Sequence, residues 1–247
     1  MTEIEKQLGV QSWCFRYFKD LDGLIMQMKV VGLSRIELCE VHVDFNDEAG
    51  FEKVIQKFAA ANIQISSIGV QTFANKPAAE EKWFRFCKLA GAKLITATFD
   101  VATIPDSLLQ TQKLAEKHDI RIGIHNHGGY NWLGSSQMLT HFLKQANPWI
   151  GLCLDSGWCL QSGENPLKWA ELFNDRIYGI HIKDFIFDRA GRWTDVVVGT
   201  GNLALKAFLQ SVRKSPHLSV QTIEFEGDVE NPAPKLIECI HQIVAAS

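Results

Sequence analysis

Along the whole chain, short runs of aliphatic and β-branched residues alternate with longer stretches whose apolar positions recur every three to four residues. The short runs predict strands at 8–15, 35–40, 64–73, 94–100, 121–127, 150–158, 177–185 and 218–227. The longer stretches predict amphipathic helices. In 51–62, Phe51, Val54, Ile55, Phe58 and Ala59 share one face, and in 232–246 Leu236, Ile237, Ile240 and Val244 do the same. Strand starts follow one another at roughly 27 to 30 residues, the length of one β-loop-α-loop unit, and about 41 residues separate the seventh from the eighth. Eight such units within 247 residues are the arithmetic of a single (β/α)8 barrel domain over 1–247. An open doubly wound sheet fits less well, since no Gly-x-Gly-x-x-Gly turn follows the first strand. The surplus residues fall after the seventh strand, where 188–193 predicts a small hairpin leading into Val-Gly-Thr-Gly-Asn (198–202). Extra chain at the C-terminal mouth of such a barrel usually serves the active site.

A filled barrel interior calls for branched apolar or small side chains, so an ionisable group near a strand end must be paired or bound to something. Four consecutive strands break the apolar rule at one height. The fifth carries His125 and His127, two residues apart and therefore on one side; the sixth ends at Asp155; the seventh carries His181 and Lys183; the eighth carries Glu224 and Glu226. Adjacent strands bring these groups together. One His, Asp, His and Glu from the four strand ends give mixed imidazole and carboxylate ligation, suited to one divalent ion such as Mn, Zn, Co or Fe. Within the pairs His125/His127 and Glu224/Glu226 the first member lies deeper in its strand. A metal-free hydrogen-bonded network is the alternative reading of the same residues. The remaining histidines, His42, His118, His141, His217 and His241, fall in loops or on helix faces and are expected to be solvated.

Composition narrows the function classes. At 46% hydrophobic and 21% charged residues the chain is a folded globule rather than a disordered one. Lys plus Arg number 25 against 28 Asp plus Glu, a net charge of -3 with the signs interspersed, so no footprint for a nucleic-acid backbone is present and no nucleic-acid partner is expected. No apolar run approaches the roughly 18 residues of a membrane span, and the polar start, Met-Thr-Glu-Ile-Glu-Lys, lacks the features of a signal peptide. A cytoplasmic protein without a membrane partner, open to homo-oligomer formation, is the expectation. Six cysteines, Cys14, Cys39, Cys87, Cys153, Cys159 and Cys239, lack the short pairings of zinc or redox motifs and predict reduced core thiols.

Five segments, Gly-Ile-His-Asn-His-Gly-Gly (123–129), Cys-Leu-Asp-Ser-Gly-Trp (153–158), Ile-His-Ile-Lys-Asp (180–184), Val-Gly-Thr-Gly-Asn (198–202) and Ile-Glu-Phe-Glu-Gly (223–227), resemble in order and spacing the xylose isomerase-like TIM barrels that include sugar phosphate isomerases and epimerases. The resemblance spans the chain. It implies a metal held by side chains from strands five to eight, which carry over to His125, Asp155, His181 and Glu224. His125 is a departure, because many members have Glu there. With a dication, the usual three carboxylates sum to about -1, whereas the two carboxylates here sum to about 0, and a less neutralised metal is a stronger Lewis acid. The same change removes one of the two metal-bound glutamates that many epimerases of the family use as an opposed acid/base pair.

The chemistry implied is proton abstraction next to a carbonyl through an enediolate, on a keto sugar, keto-inositol or sugar phosphate. The outcome is isomerisation or epimerisation, with β-elimination by a dehydratase or lyase as the alternative. Glu224 and His127 are the base candidates, and Lys183 is placed to protonate an oxygen or hold an anionic group. Glu37 and Glu40, in a segment resembling the family's apolar-Glu-apolar pattern, are expected to supply a substrate-binding and a catalytic carboxylate respectively. Trp13, Trp132 and Trp158 follow strands one, five and six, where an aromatic face can cover the C–H side of a sugar. Arg189 and Arg192 can bind an anion, and the Gly199-Thr200-Gly201 turn can offer backbone N–H groups. A repair endonuclease would want more ligands and a basic face, and a noncatalytic sugar-binding barrel would hold no metal.

Overall fold

The computed structural model describes residues 2–247; Met1, the head of the polar N-terminal segment, lies outside them. The strands are β1 (Leu8–Gln11), β2 (Arg35–Leu38), β3 (Gln64–Phe73), β4 (Leu94–Phe99), β5 (Arg121–His125), β6 (Ile150–Asp155), β7 (Ile177–Ile182), β8 (Asp184–Phe187), β9 (Trp193–Val196) and β10 (Val220–Ile223). Eight of them are parallel and close into a barrel in the order β1-β10-β7-β6-β5-β4-β3-β2, while β8 and β9 pair antiparallel as a separate hairpin. This is a single-domain (β/α)8 TIM barrel, and the hairpin occupies the surplus after the seventh strand.

The helices are α1 (Glu3–Gln7), α2 (Leu21–Val31), α3 (Phe51–Ala60), α4 (Pro77–Ala90), α5 (Asp106–His118), α6 (Ser136–Gln145), α7 (Ser156–Gln161), α8 (Pro166–Leu172), α9 (Leu205–Val212) and α10 (Ala233–Ala246). The apolar stripe of α3 is buried through Phe51 and Phe58, and that of α10 through Leu236, Cys239, Ile240 and Ile243. Among the described residues no helix is long and apolar enough to cross a membrane. All six cysteines are free and buried, in keeping with core thiols.

Seven of the eight barrel strands start where the sequence pattern places them, the eighth begins two residues later at Val220, and every barrel strand except β3 ends earlier than expected. The first strand stops at Gln11, whose side-chain oxygen accepts from the Trp13 N–H (3.1 Å) and turns Ser12–Phe15 into a 3-10 helix. The sixth stops at Asp155 because its carboxylate accepts from the Trp158 N–H (2.7 Å) and caps α7. The eighth stops at Ile223, so Glu224 and Glu226 stand just beyond the sheet. Two histidines expected in solvent are not there. His42 is buried, with its Nε2 3.1 Å from the Phe18 carbonyl oxygen, and His118 stacks on Phe84 while bonding Glu81 (2.7 Å). Both tuck under loops or between helices, where an imidazole packs as a ring and bonds as a polar group.

Candidate active site

The register of the parallel strands builds the site. Asp155 stands beside His181 across β6 and β7, Thr222 stands beside His181 across β10 and β7, and His125 ends β5 opposite Cys153. The next residue after β10 is thus delivered beside His181. Ligand atoms of His125, Asp155, His181 and Glu224 all lie within 4.8 Å of one another, and all four residues are buried. His125 Nε2 is 3.5 Å from Asp155 Oδ2 and 3.9 Å from Glu224 Oε2, and His181 Nδ1 is 2.8 Å from Glu224 Oε2.

Two of these atoms, His125 Nε2 and Asp155 Oδ2, are buried without a hydrogen-bond partner. A buried polar atom without a partner is costly. A cation among them, taking the imidazole lone pairs and carboxylate oxygens, would satisfy the set, and mixed nitrogen and oxygen donors suit a divalent transition metal. These four residues can therefore hold a metal ion. Asp155 is oriented for this, since Oδ1 is spent on the cap of α7 and its backbone N–H and carbonyl are both held by the Asn126 amide (2.8 and 3.0 Å).

Beneath the four lies Glu37, with no solvent exposure. It accepts from Gln11 Nε2 (2.6 Å), Ser67 Oγ (2.6 Å), Thr96 Oγ1 (2.7 Å) and His181 Nε2 (3.0 Å). The last bond fixes the imidazole so that Nδ1 points at the ligand set. Burial works against ionising Glu37, but His181 and the two hydroxyl bonds outweigh it and hold the carboxyl below its ordinary range. Burial likewise opposes charge on His181, yet Cys153, Glu37 and Glu224 around it raise its pKa well above the usual imidazole value. Glu37 does not border the cavity, and so sits behind a ligand rather than at the substrate.

Lys183 is also fully buried, and its ammonium contacts Glu226, Glu224 (3.6 Å) and Asp195 (3.8 Å). Burial disfavours that charge, but the surrounding carboxylates raise the pKa above the ordinary lysine range. Gly157 makes room for the lysine stem: a Cβ there would come within 2.8 Å of Lys183 Cγ. Asp195, on β9, is pushed up to about 8 by burial, and one of its oxygens lacks a partner. Glu224 feels burial first, but Lys183 and His181 hold it below the carboxylate range. Lys183 does not line the cavity, but two of the acids it contacts, Glu224 and Glu226, do.

The cavity above the four ligands measures about 420 Å³ and is bordered by His125, Glu224, His127, Trp158, Trp13 and Glu40, among others. His127 stacks on Trp158 at 4.0 Å, with Nδ1 3.5 Å from the Gly128 carbonyl and no bond to Nε2. Burial and then His125 lower its pKa, keeping the ring neutral at neutral pH. Trp13 is held at the rim by its Nε1 bond to Glu226 (2.8 Å). Trp132 lies elsewhere, donating to the Phe99 carbonyl (3.1 Å) and packing on Phe142, and it does not border the cavity. Arg192 is at the hairpin tip, its side chain 83% exposed and paired with Asp188, away from the cavity. The glycine turn is already engaged: the N–H groups of Gly199, Gly201 and Leu203 all donate to Asp184 (2.8 to 2.9 Å), leaving none for a phosphate. Sequence reasoning passed over Gln11, Asn126 and Asp195, none of which stands out in the pattern of the chain.

The sequence profile of the xylose isomerase-like TIM barrel family matches residues 27–242. The chain is 25% identical to the 3-oxo-isoapionate decarboxylase of Pectobacterium atrosepticum over 219 residues, which is 83% of this chain and 77% of that one. Among solved structures, the IolI protein with a bound zinc atom superposes with a TM-score of 0.75 at 16% identity, covering 97% of both chains. The D-allulose 3-epimerase of Methylomonas sp. does so with a TM-score of 0.76 at 14% identity, covering 98% of both. At such identities the two structures show a common fold, and the profile match over most of the chain shows the kinship: the chain belongs to the xylose isomerase-like TIM barrel family.

Proposed function

We propose that the protein is a divalent-metal-dependent isomerase or epimerase that forms an enediolate next to the carbonyl of a small keto sugar, keto-inositol or related derivative. One observation carries the proposal: the buried His125 Nε2 and Asp155 Oδ2, without a partner among the described residues, converge with His181 and Glu224 in one cluster, of which His125 and Glu224 border the cavity. A divalent ion held there supplies Lewis-acid polarisation of a carbonyl and neutralises the charge that develops on its oxygen.

The chain's own residues handle the proton. Glu224 has one oxygen toward His181 and the other toward Lys183, which suits a ligand more than a base. His127 lines the cavity as a neutral imidazole with Nε2 free, so it is placed to take a proton from the carbon beside the carbonyl. The C–H pair moves into the C–C bond and the carbonyl pair moves to oxygen; the proton of the neighbouring hydroxyl then passes to that oxygen, the hydroxyl carbon becomes the new carbonyl, and His127 returns its proton to the former carbonyl carbon, which completes an isomerisation. Trp158 holds the imidazole plane, and Trp13 covers the rim. Lys183 positions Glu224 and Glu226 and offsets their charge.

A lyase reading is favoured by a separate observation. His125 stands where the resemblance to the family implies a glutamate, leaving one carboxylate of the proposed ligand set at the cavity, and the 25% identical relative is named a decarboxylase. Loss of carbon dioxide or of a β-substituent passes through the same enediolate and needs proton handling on one side only. Incubating the metal-loaded protein in deuterated solvent with 2-keto and 3-keto sugars, inososes and keto sugar acids separates the cases. Deuterium at the carbon next to the carbonyl, dependent on added Mn, Zn, Co or Fe, is the expected result. Release of carbon dioxide or water selects the lyase whether or not its product carries deuterium, and absence of both release and exchange from every substrate with metal bound overturns the proposal.

A further inference from the structure

A second cavity, of about 400 Å³, adjoins the first, and Glu40 is a wall of both. On β3 the consecutive residues Val70 and Gln71 line one cavity each. We propose that the second cavity binds a sugar unit glycosidically linked to the keto sugar unit over the metal ligands, so that the substrate is a two-unit glycoside. The inference rests on the keto-sugar reading above and extends it to the length of the substrate.

The lining has the chemistry of a carbohydrate site. Gln71, Asn46, Asp44 and Glu40 present planar amides and carboxylates, whose paired polar atoms match neighbouring hydroxyls, and Trp83 adds an aromatic ring for a C–H face. Gln71 is the deciding residue. It lines the cavity and is 96% buried, and its Nε2 is a buried donor with no hydrogen-bond partner among the described residues, so a small turn of the amide would present an unspent donor to the cavity. A sugar hydroxyl is such an acceptor, and it can return a proton to the nearby carboxylates.

The platform is preformed. Phe73 meets the Trp83 ring edge-on at 5.2 Å, and Lys82 Nζ bonds Asn46 Oδ1 (2.6 Å) while lying 5.6 Å from the Trp83 centroid. A phosphate group fits poorly here. Lys82 is the one cation among the described lining residues, it is already bonded, and two carboxylates share the space. Small-molecule sites span roughly 300 to 1,000 Å³, so the first cavity suits one sugar unit and the pair suits two.

The test measures binding to the metal-loaded protein by calorimetry, with D-fructose against lactulose, turanose and isomaltulose, and 3-ketoglucose against 3-ketolactose. At least one disaccharide is expected to bind about tenfold tighter than its own keto monosaccharide. Gln71→Ala should erase that advantage and leave monosaccharide binding and metal content unchanged. Asn46→Ala, at an exposed loop position, should reduce the advantage in a fold that packing cannot disturb. The proposal is overturned if every disaccharide binds no tighter than its monosaccharide, or if both variants keep the full advantage. Failure of the keto-sugar reading registers separately, as the absence of metal-dependent deuterium exchange into the monosaccharides.

Discussion

Glu37→Gln is the sharpest probe of how the proposed metal ligands are held. The substitution keeps size and shape but replaces one acceptor oxygen by an NH2 group. Four donors converge on this carboxylate, from Gln11, Ser67, Thr96 and His181, so at least one must face a donor after the change. Each buried bond lost costs about 1–3 kcal/mol, and removing one partner of a buried ion pair costs about 3–5 kcal/mol. A loss near 3 kcal/mol lowers the melting temperature of a chain this size by roughly 6–12 °C. The effect on the metal is separate. Without the acceptor at Nε2, His181 is no longer fixed with Nδ1 toward the other ligands, and loss of such a partner typically weakens metal affinity about 10–100-fold. Competition with a chelator of known affinity reads the second effect, and melting of chelator-treated protein reads the first. Metal affinity within about threefold of wild type would show that the orientation of His181 is set by something other than Glu37.

His127→Ala should lower the rate of solvent exchange by about 100 to 10,000-fold while metal content stays full, and near-wild-type exchange would return proton transfer to Glu224. The raised pKa of His181 makes its contribution to the metal-free fold complete below the ordinary imidazole value and lost as pH rises through the higher folded value. A metal ion takes the place of that proton, so the rise in melting temperature on adding zinc should be larger at pH 8 than at pH 6; an equal rise would contradict it. Asp195, with its carboxyl pushed up to about 8, destabilises the fold increasingly as pH rises from the ordinary carboxylate value toward 8. Asp195→Asn should therefore show a flatter stability curve than wild type between about pH 4 and pH 8, and parallel curves would refute the burial argument.

The barrel was legible because its signal is periodic. Eight apolar runs at near-constant spacing need no tertiary information, and His125, Asp155, His181 and Glu224 stood out by breaking the apolar rule at one height. Strand ends were less legible, since Ser12–Phe15 and Ser156–Gln161 are as apolar as strands and their helical turns are set by single side-chain bonds from Gln11 and Asp155. Glu37 was misplaced for a deeper reason. β2 and β7 are not neighbours, so the bond from His181 to Glu37 crosses the barrel interior, a relation no linear pattern carries. Trp132 and Arg192 showed their type but not their direction: one turns back to the β4 carbonyl of Phe99, the other points off a hairpin tip.

The single substitution at the end of β5 bears on the whole reaction. A glutamate there would face Glu224 across the cavity, and two opposed carboxylates can invert a carbon by taking a proton from one side and giving it to the other. With His125 in that place, the groups on the β5 side are His125, an imidazole of the ligand set, and His127, backed by Trp158. Glu224 on the other side is committed to His181 and Lys183. On the reading proposed above, one imidazole does the proton handling on one face. That arrangement serves a shift of the proton between neighbouring carbons, in which the same group takes and returns it, or a lyase step that needs one protonation. It serves inversion of a single carbon least well, because on the Glu224 side, from which the returning proton must arrive, Glu224 and Glu226 are both engaged by Lys183.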